Sequence, residues 1–196
     1  MIYMFLAEGF EEVEALCPLD LCRRAGIAVT TVGIGGATVK GSHGIAVVAD
    51  MTEAEFTVSV NVAEADGVIL PGGMPGTENL YASRTVTDAV KVANRAEKLV
   101  AAICAAPSVP GRLGILAGRR AVCFPGFEKM LAGAVCGGGR VVRDGHIVTG
   151  VGMGAALEFG LKIVEYFTAA DTAKILASGI LAPDCVTSSL NNDNIK

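Results

Sequence analysis

Four short apolar runs without a polar face, residues 2–6, 27–34, 67–70 and 99–103, recur along the chain with helix-patterned stretches between them. A strand that shows no polar alternation must be covered on both faces. Strands joined through helices run parallel. The pattern therefore predicts an α/β fold: a mainly parallel, doubly wound sheet sandwiched between helices. Helical spacing is expected over residues 11–25, 85–96 and 153–167, with a short last helix at 171–176. Residues 121–124 read as a fifth strand. Two stretches break the alternation and read as hairpins: residues 38–48, turning at Ser42-His43-Gly44, and residues 140–149, with Asp144-Gly145 as the turn signal.

Composition narrows the classes further. Of 196 residues, 52% are hydrophobic and 18% charged, against a globular norm of about 25% charged. Intrinsic disorder and a coiled coil are both excluded. The net charge of −4 and pI near 5.2 leave no electrostatic footprint for nucleic acid or an anionic membrane surface, so neither is expected as a partner. The longest strongly apolar stretch, residues 99–107, is about half of the ~20 residues a bilayer crossing needs. The opening lacks a basic segment and is interrupted by Glu8, Glu11 and Glu12. The reading is a cytoplasmic protein without signal peptide or anchor, with one domain over residues 1–187 and a polar, frayed tail at 188–196.

The six cysteines (17, 22, 104, 123, 136 and 185) are scattered, and only His43 and His146 could join them as soft ligands. No zinc spacing exists, so no metal site is expected. In a reducing compartment most of these thiols should be buried small hydrophobes.

In open α/β sheets, sites form beyond the carboxyl ends of strands. Three such ends should share one rim: Leu6-Ala7-Glu8-Gly9, Pro71-Gly72-Gly73, and Cys104. Cys104 sits between a strand and a helix-like stretch, the place of a nucleophile elbow, where helix N-terminal amides would lower a thiol pKa. It equally reads as a small residue capping a buried strand. Gly72-Gly73 could present backbone donors to a developing oxyanion, or could be an ordinary turn after a strand. Glu14 shares a helix face with Cys17 and Leu21, an apolar stripe on which a carboxyl stays protonated and can donate to a thiolate. His146 reads as a solvated hairpin residue and His43 as a turn residue.

Three stretches in one order, AEGFEEVEA with Glu14, LPGGMPGTENL with Gly72 and Gly73, and AAICAAP with Cys104, resemble the ThiJ/PfpI superfamily, in its DJ-one branch of Parkinson-linked protein deglycases. CPLDLCRRAG, RDGHIVTG and ALEFGLKIVE follow the family order too, so the similarity runs from residue 2 to about residue 167. The resemblance implies a flavodoxin-like three-layer sandwich, akin to class I glutamine amidotransferases, that forms homodimers. It implies Cys104 as nucleophile, Glu14 as its protonated partner, and the Gly73 and Ala105 amides, beside Gly72, as the oxyanion pocket. It further implies a cofactor-independent glyoxalase III or deglycase acting on methylglyoxal, glyoxal or glycated proteins.

Departures from the pattern count as well. The protease branch carries His directly after its Cys, where this chain has Ala105, which disfavours a Cys-His peptidase. Some relatives carry a His near the site where this chain has Phe124, and some have Gly where it has Ala106. Two other readings stay open: a thiol redox sensor or chaperone with little turnover, in which Glu14 would bind an oxidised sulfur, and a hydrolase of small esters or amides, with His43 as a distant base.

Overall fold

The computed structural model describes residues 1–56, 64–184 and 186. The tail at 188–196 and Cys185 lie outside the described residues. The predicted strands appear as β1 (Ile2–Ala7), β2 (Val29–Ile34), β6 (Gly67–Leu70) and β7 (Leu99–Ile103), with β3 (Thr38–Lys40), β4 (Ala46–Val48) and β5 (Met51–Thr52) between them. The described helices are α1 (Glu12–Arg24), α2 (Gly76–Ala82), α3 (Arg84–Arg95), α4 (Ser108–Arg112), α5 (Ala156–Phe167) and α6 (Ala170–Gly179). The short pair β8 (Arg120–Ala121) and β9 (Val135–Cys136) precedes β10 (Val141–Asp144) and β11 (Ile147–Gly150). The central sheet has the order β10-β11-β7-β6-β1-β2-β5 and is parallel except for the β10–β11 hairpin.

Burial on both faces shows directly in β1. Ile2, Met4 and Leu6 enter one core, and Tyr3, Phe5 and Ala7 enter the other. The first core is closed by α1, α5 and α6, the second mainly by α3 with parts of α2 and α4. Helices α1 and α5 come very close. A Cβ at Gly160 would stand 2.6 Å from Leu21 Cδ1 and 2.9 Å from Pro18 Cα, so glycine is required there by space alone. Helix α1 continues through Pro18 for its full 13 residues.

One expectation needs correction. Residues 121–124 do not form a main-sheet strand: only Arg120–Ala121 is extended, and it pairs with Val135–Cys136 in a separate ladder. The hairpin at 140–149 forms as read, and its second strand, Ile147–Gly150, also pairs in parallel with Val100–Ile103 and extends the sheet. The hairpin at 38–48 forms as read, with Thr38 opposite Val48 and Lys40 opposite Ala46.

Candidate active site

In sheet order, β7, β6 and β1 are neighbours, so their carboxyl ends meet at one rim. Cys104 follows β7 directly with φ of 66°. A left-handed backbone at a non-glycine residue costs roughly 1–3 kcal/mol and persists only where surroundings enforce it. Here the Cys104 amide donates to Gly150 O at 2.8 Å, and Cys104 O accepts from the Phe124 amide at 2.8 Å. The elbow is pinned from both sides.

One part of the elbow differs from expectation. Residues 104–107 are turns, and α4 begins only at Ser108. Cys104 is therefore not at the first turn of that helix. Two single amides face the sulfur, those of Ala105 and Gly73, and each favours the thiolate.

Glu14 is brought over this sulfur by α1. Its carboxyl is 1% exposed, hydrogen-bonds the Cys104 side chain, and accepts from the amides of Gly72 and Met153. The Gly72 bond is 3.0 Å long. Gly72 has no room for a side chain, since a Cβ would lie 2.6 Å from both Cys104 Cβ and Glu14 Oε2. Gly73 is constrained twice, by φ of 88° and by a Cβ position 2.4 Å from the Glu11 amide.

Electrostatics couple the pair. Burial, with help from the Glu11 charge, pushes Glu14 up to about 7 against the hydrogen bonds it receives. Burial also pushes the Cys104 thiol up to about 12, followed by the charge of Glu14 and the hydrogen bond to it, while the Ala105 and Gly73 amides pull it down. The expected simple lowering of the Cys104 pKa is therefore not found. A thiolate beside an ionised Glu14 is a buried pair of like charges. With the proton on Glu14 the repulsion vanishes and the carboxyl donates to sulfur, and the pair as a whole holds a single proton between about 7 and about 12.

The other thiols fall out differently. Cys22 and Cys123 are buried and Cys17 is half-buried, but Cys136 is exposed, contrary to expectation. His146 is not solvated: its ring is buried and Nε2 lies 2.9 Å from Asn94 Oδ1. Burial holds its pKa down. His43 sits in its turn, largely exposed, with Nδ1 2.9 Å from Glu12 Oε2 and 4.0 Å from Glu11 Oε1. Glu11, Glu12 and His43 bring ligand-type atoms within 4.8 Å of one another, yet these atoms already bond one another and nearby amides.

Sequence reasoning missed Glu11, whose side chain caps α1 by accepting from the Glu14 amide at 2.6 Å. An acid three residues before Glu14 is a capping spacing that could have been seen. It also missed Met153, delivered by the segment after β11. That segment, GVGMG, lies beyond a strand's carboxyl end like the other three.

The DJ-1/PfpI family model matches residues 1–166. The chain belongs to the DJ-1/PfpI family. It is 35% identical to protein dj-1beta of Drosophila melanogaster over 181 residues, covering 91% of this chain and 95% of that one. It is 32% identical over 159 residues to a Caenorhabditis elegans protein named glutathione-independent glyoxalase DJR-1.2, covering 81% and 83%. Oxidised Toxoplasma gondii DJ-1 superposes with a TM-score of 0.85 at 35% identity, covering 92% of this chain and 97% of that one. The flavodoxin-like architecture read from the sequence is that of this family. No helix among the described residues is long and apolar enough to cross a membrane.

Proposed function

We propose that the protein is a cofactor-independent glyoxalase or deglycase of reactive dicarbonyls. One observation carries the reading: a buried carboxyl that titrates at about 7 is hydrogen-bonded to a half-buried thiol facing two backbone amides. A group poised near the working pH is suited to take and return protons.

Ionised Glu14 takes the thiol proton as the Cys104 sulfur adds to the aldehyde carbon of a 2-oxoaldehyde. The S–C bond forms, the C=O π bond breaks, and the oxygen takes the Glu14 proton to give a hemithioacetal. The Gly73 and Ala105 amides stabilise the oxyanion as it develops. Ionised Glu14 then removes the C1 proton and returns it at C2 through an enediol, which leaves a 2-hydroxy thioester on sulfur. Water cleaves that thioester, releasing the 2-hydroxy acid and restoring the thiol. No net oxidant or reductant enters. Deglycation would begin with collapse of a protein-bound hemiaminal or hemithioacetal, in which the C–N or C–S bond breaks, the hydroxyl proton passes to the departing amine or thiol and the C=O bond re-forms, so that the same addition follows at the freed aldehyde. The homologue named a glyoxalase supports the class.

The same pair also suits a redox-sensing role. A carboxyl that donates to a thiolate can donate to a sulfinate, and Cys104 is accessible enough to be oxidised. A homodimer is also proposed, since Val13 and Leu16 on α1 are 45% and 37% exposed beside half-buried Cys17. Lactate formation from methylglyoxal by wild type and Cys104→Ser decides the enzymatic reading. Activity that survives in Cys104→Ser, or is absent from wild type, overturns it.

A further inference from the structure

The geometry points to a substrate preference built into the mouth over Cys104: 2-oxoaldehydes carrying an apolar, best an aryl, substituent over glyoxal and over polyhydroxylated sugar adducts. This selectivity rests on the dicarbonyl reading of the same site. Three large apolar side chains are left about half in solvent, Met74 at 49%, Phe124 at 48% and Met153 at 54%. Each is tied to the reacting pair through backbone. Met74 follows Gly73, whose amide faces the sulfur. The Phe124 amide donates to the Cys104 carbonyl. The Met153 amide donates to Glu14.

Phe124 is the decisive member. The point where a Cβ on Gly152 would stand lies 3.3 Å from Phe124 Cδ2 and 3.9 Å from Cys104 Sγ. Ring and sulfur thus flank the same small space, kept open by a glycine. When sulfur attacks an aldehyde, the substituent on the neighbouring ketone must point away from the Gly73 and Ala105 amides. The surface placed beside the sulfur is the Phe124 ring, which suits a hydrophobic group and offers nothing to sugar hydroxyls. Hydroxyls placed there would lose water without gaining a partner.

Alkylation kinetics test the mouth without requiring turnover. Rates of N-benzyl-iodoacetamide and iodoacetamide are measured at Cys104 by peptide mapping, with exposed Cys136 as the reference for intrinsic reagent reactivity. The benzyl preference at Cys104 should exceed that at Cys136 by roughly tenfold, the scale of hydrophobic-pocket discrimination. Phe124→Ser should abolish most of that excess, and Phe124→Leu should keep most of it. Phe124 is half-exposed, and its backbone hydrogen bond survives both changes. Equal preference at the two cysteines, or an excess indifferent to Phe124→Ser, overturns the inference. In parallel, kcat/KM for phenylglyoxal should exceed that for glyoxal, and equal values with both turned over also overturn it. If no dicarbonyl is turned over, the proposed function fails, while the alkylation ratios still decide whether the mouth selects apolar groups.

Discussion

Two glutamates, two residues apart in the first turns of α1, are both buried and meet opposite fates. Glu14 is pushed up to about 7. Glu12 is held down at about 2, although burial alone would raise it. The difference lies in what each carboxyl faces. Glu12 points to the β3–β4 hairpin, where it accepts from the His43 amide at 2.8 Å and the Ile45 amide at 3.3 Å and lies 2.9 Å from the His43 ring. It even fills the space of a side chain at Gly41, where a Cβ would stand 2.3 Å from Glu12 Oε1. At Glu14 burial is the largest influence and the Glu11 charge adds to it, while the bonds from Cys104, Gly72 and Met153 offset them only in part. Donors that outweigh burial make one site a clasp, and burial that outweighs its donors leaves the other a proton relay. Burial alone does not assign a carboxylate its role.

The largest expected effect tests the relay. Glu14→Ala and Glu14→Gln should each lower turnover of methylglyoxal by ~10²–10⁴-fold, the usual worth of a general acid–base group. The two part ways in sulfur chemistry. Gln can still donate to sulfur, whereas Ala leaves it without that partner, so thiolate absorbance against pH should differ between them. Unchanged turnover in both variants would make Glu14 a structural acid like Glu12.

Glu12→Ala should do the reverse. It strips the hairpin amides of their acceptor and should cost ~1–3 kcal/mol in urea unfolding. Turnover of the folded fraction should fall far less than in the Glu14 variants. A loss of activity as large as theirs would break the division between clasp and relay.

Much of this was legible in the sequence, and for identifiable reasons. Glu14 stood out by its phase on an apolar stripe, and Cys104 and Gly72-Gly73 by their places at strand ends. Those are local signals. What escaped depends on residues far apart in the chain. Nothing near Glu12 announces that His43, 31 residues on, will supply its donors. Met153 is not legible because nothing in residues 140–149 announces that β11 lies beside β7 and carries the following loop to Glu14. His146 follows an Asp-Gly turn that suggests solvent, yet Asn94 of α3 meets its ring. The thiol pKa is not legible locally because burial and the charge of Glu14, far away in the chain, outweigh the amides that the strand end offers.

The comparison also fixes the shape of stability against pH. The pKa of Glu14 is raised in the fold, so between about 4.5 and about 7 the native state keeps a proton that the unfolded chain has lost, and stability falls as pH rises. At ~1.4 kcal/mol per pKa unit the fall is on the order of 3 kcal/mol. Glu12 has the opposite sign: its contribution is present above about 4.5 and lost as pH falls toward about 2. Glu14→Gln should therefore gain stability over wild type between pH 5 and pH 8, while Glu12→Gln should flatten the acid side. Parallel urea-unfolding profiles for wild type and Glu14→Gln would show that Glu14 ionises freely.

The smallest effect is expected at His43, and it sharpens the distinction most finely. Glu12, by hydrogen bond and then by charge, raises the His43 pKa even though the ring is exposed. A raised base adds stability that is fully present below its unfolded pKa near 6.5 and disappears as pH climbs through the folded value. His43→Ala should thus lower Tm slightly at pH 6 and leave it unchanged at pH 9, where the wild-type ring has lost its proton. Glu12 keeps the amides of residues 43 and 45 in either case, so the clasp loosens without opening. Turnover at pH 7 should stay near the wild-type value, because the Glu14 carboxyl takes its donors from Gly72 and Met153, not from the hairpin. A Tm deficit equal at both pH values would mean that the ring acts by packing rather than by charge. A large fall in turnover would mean that hairpin and relay are one unit.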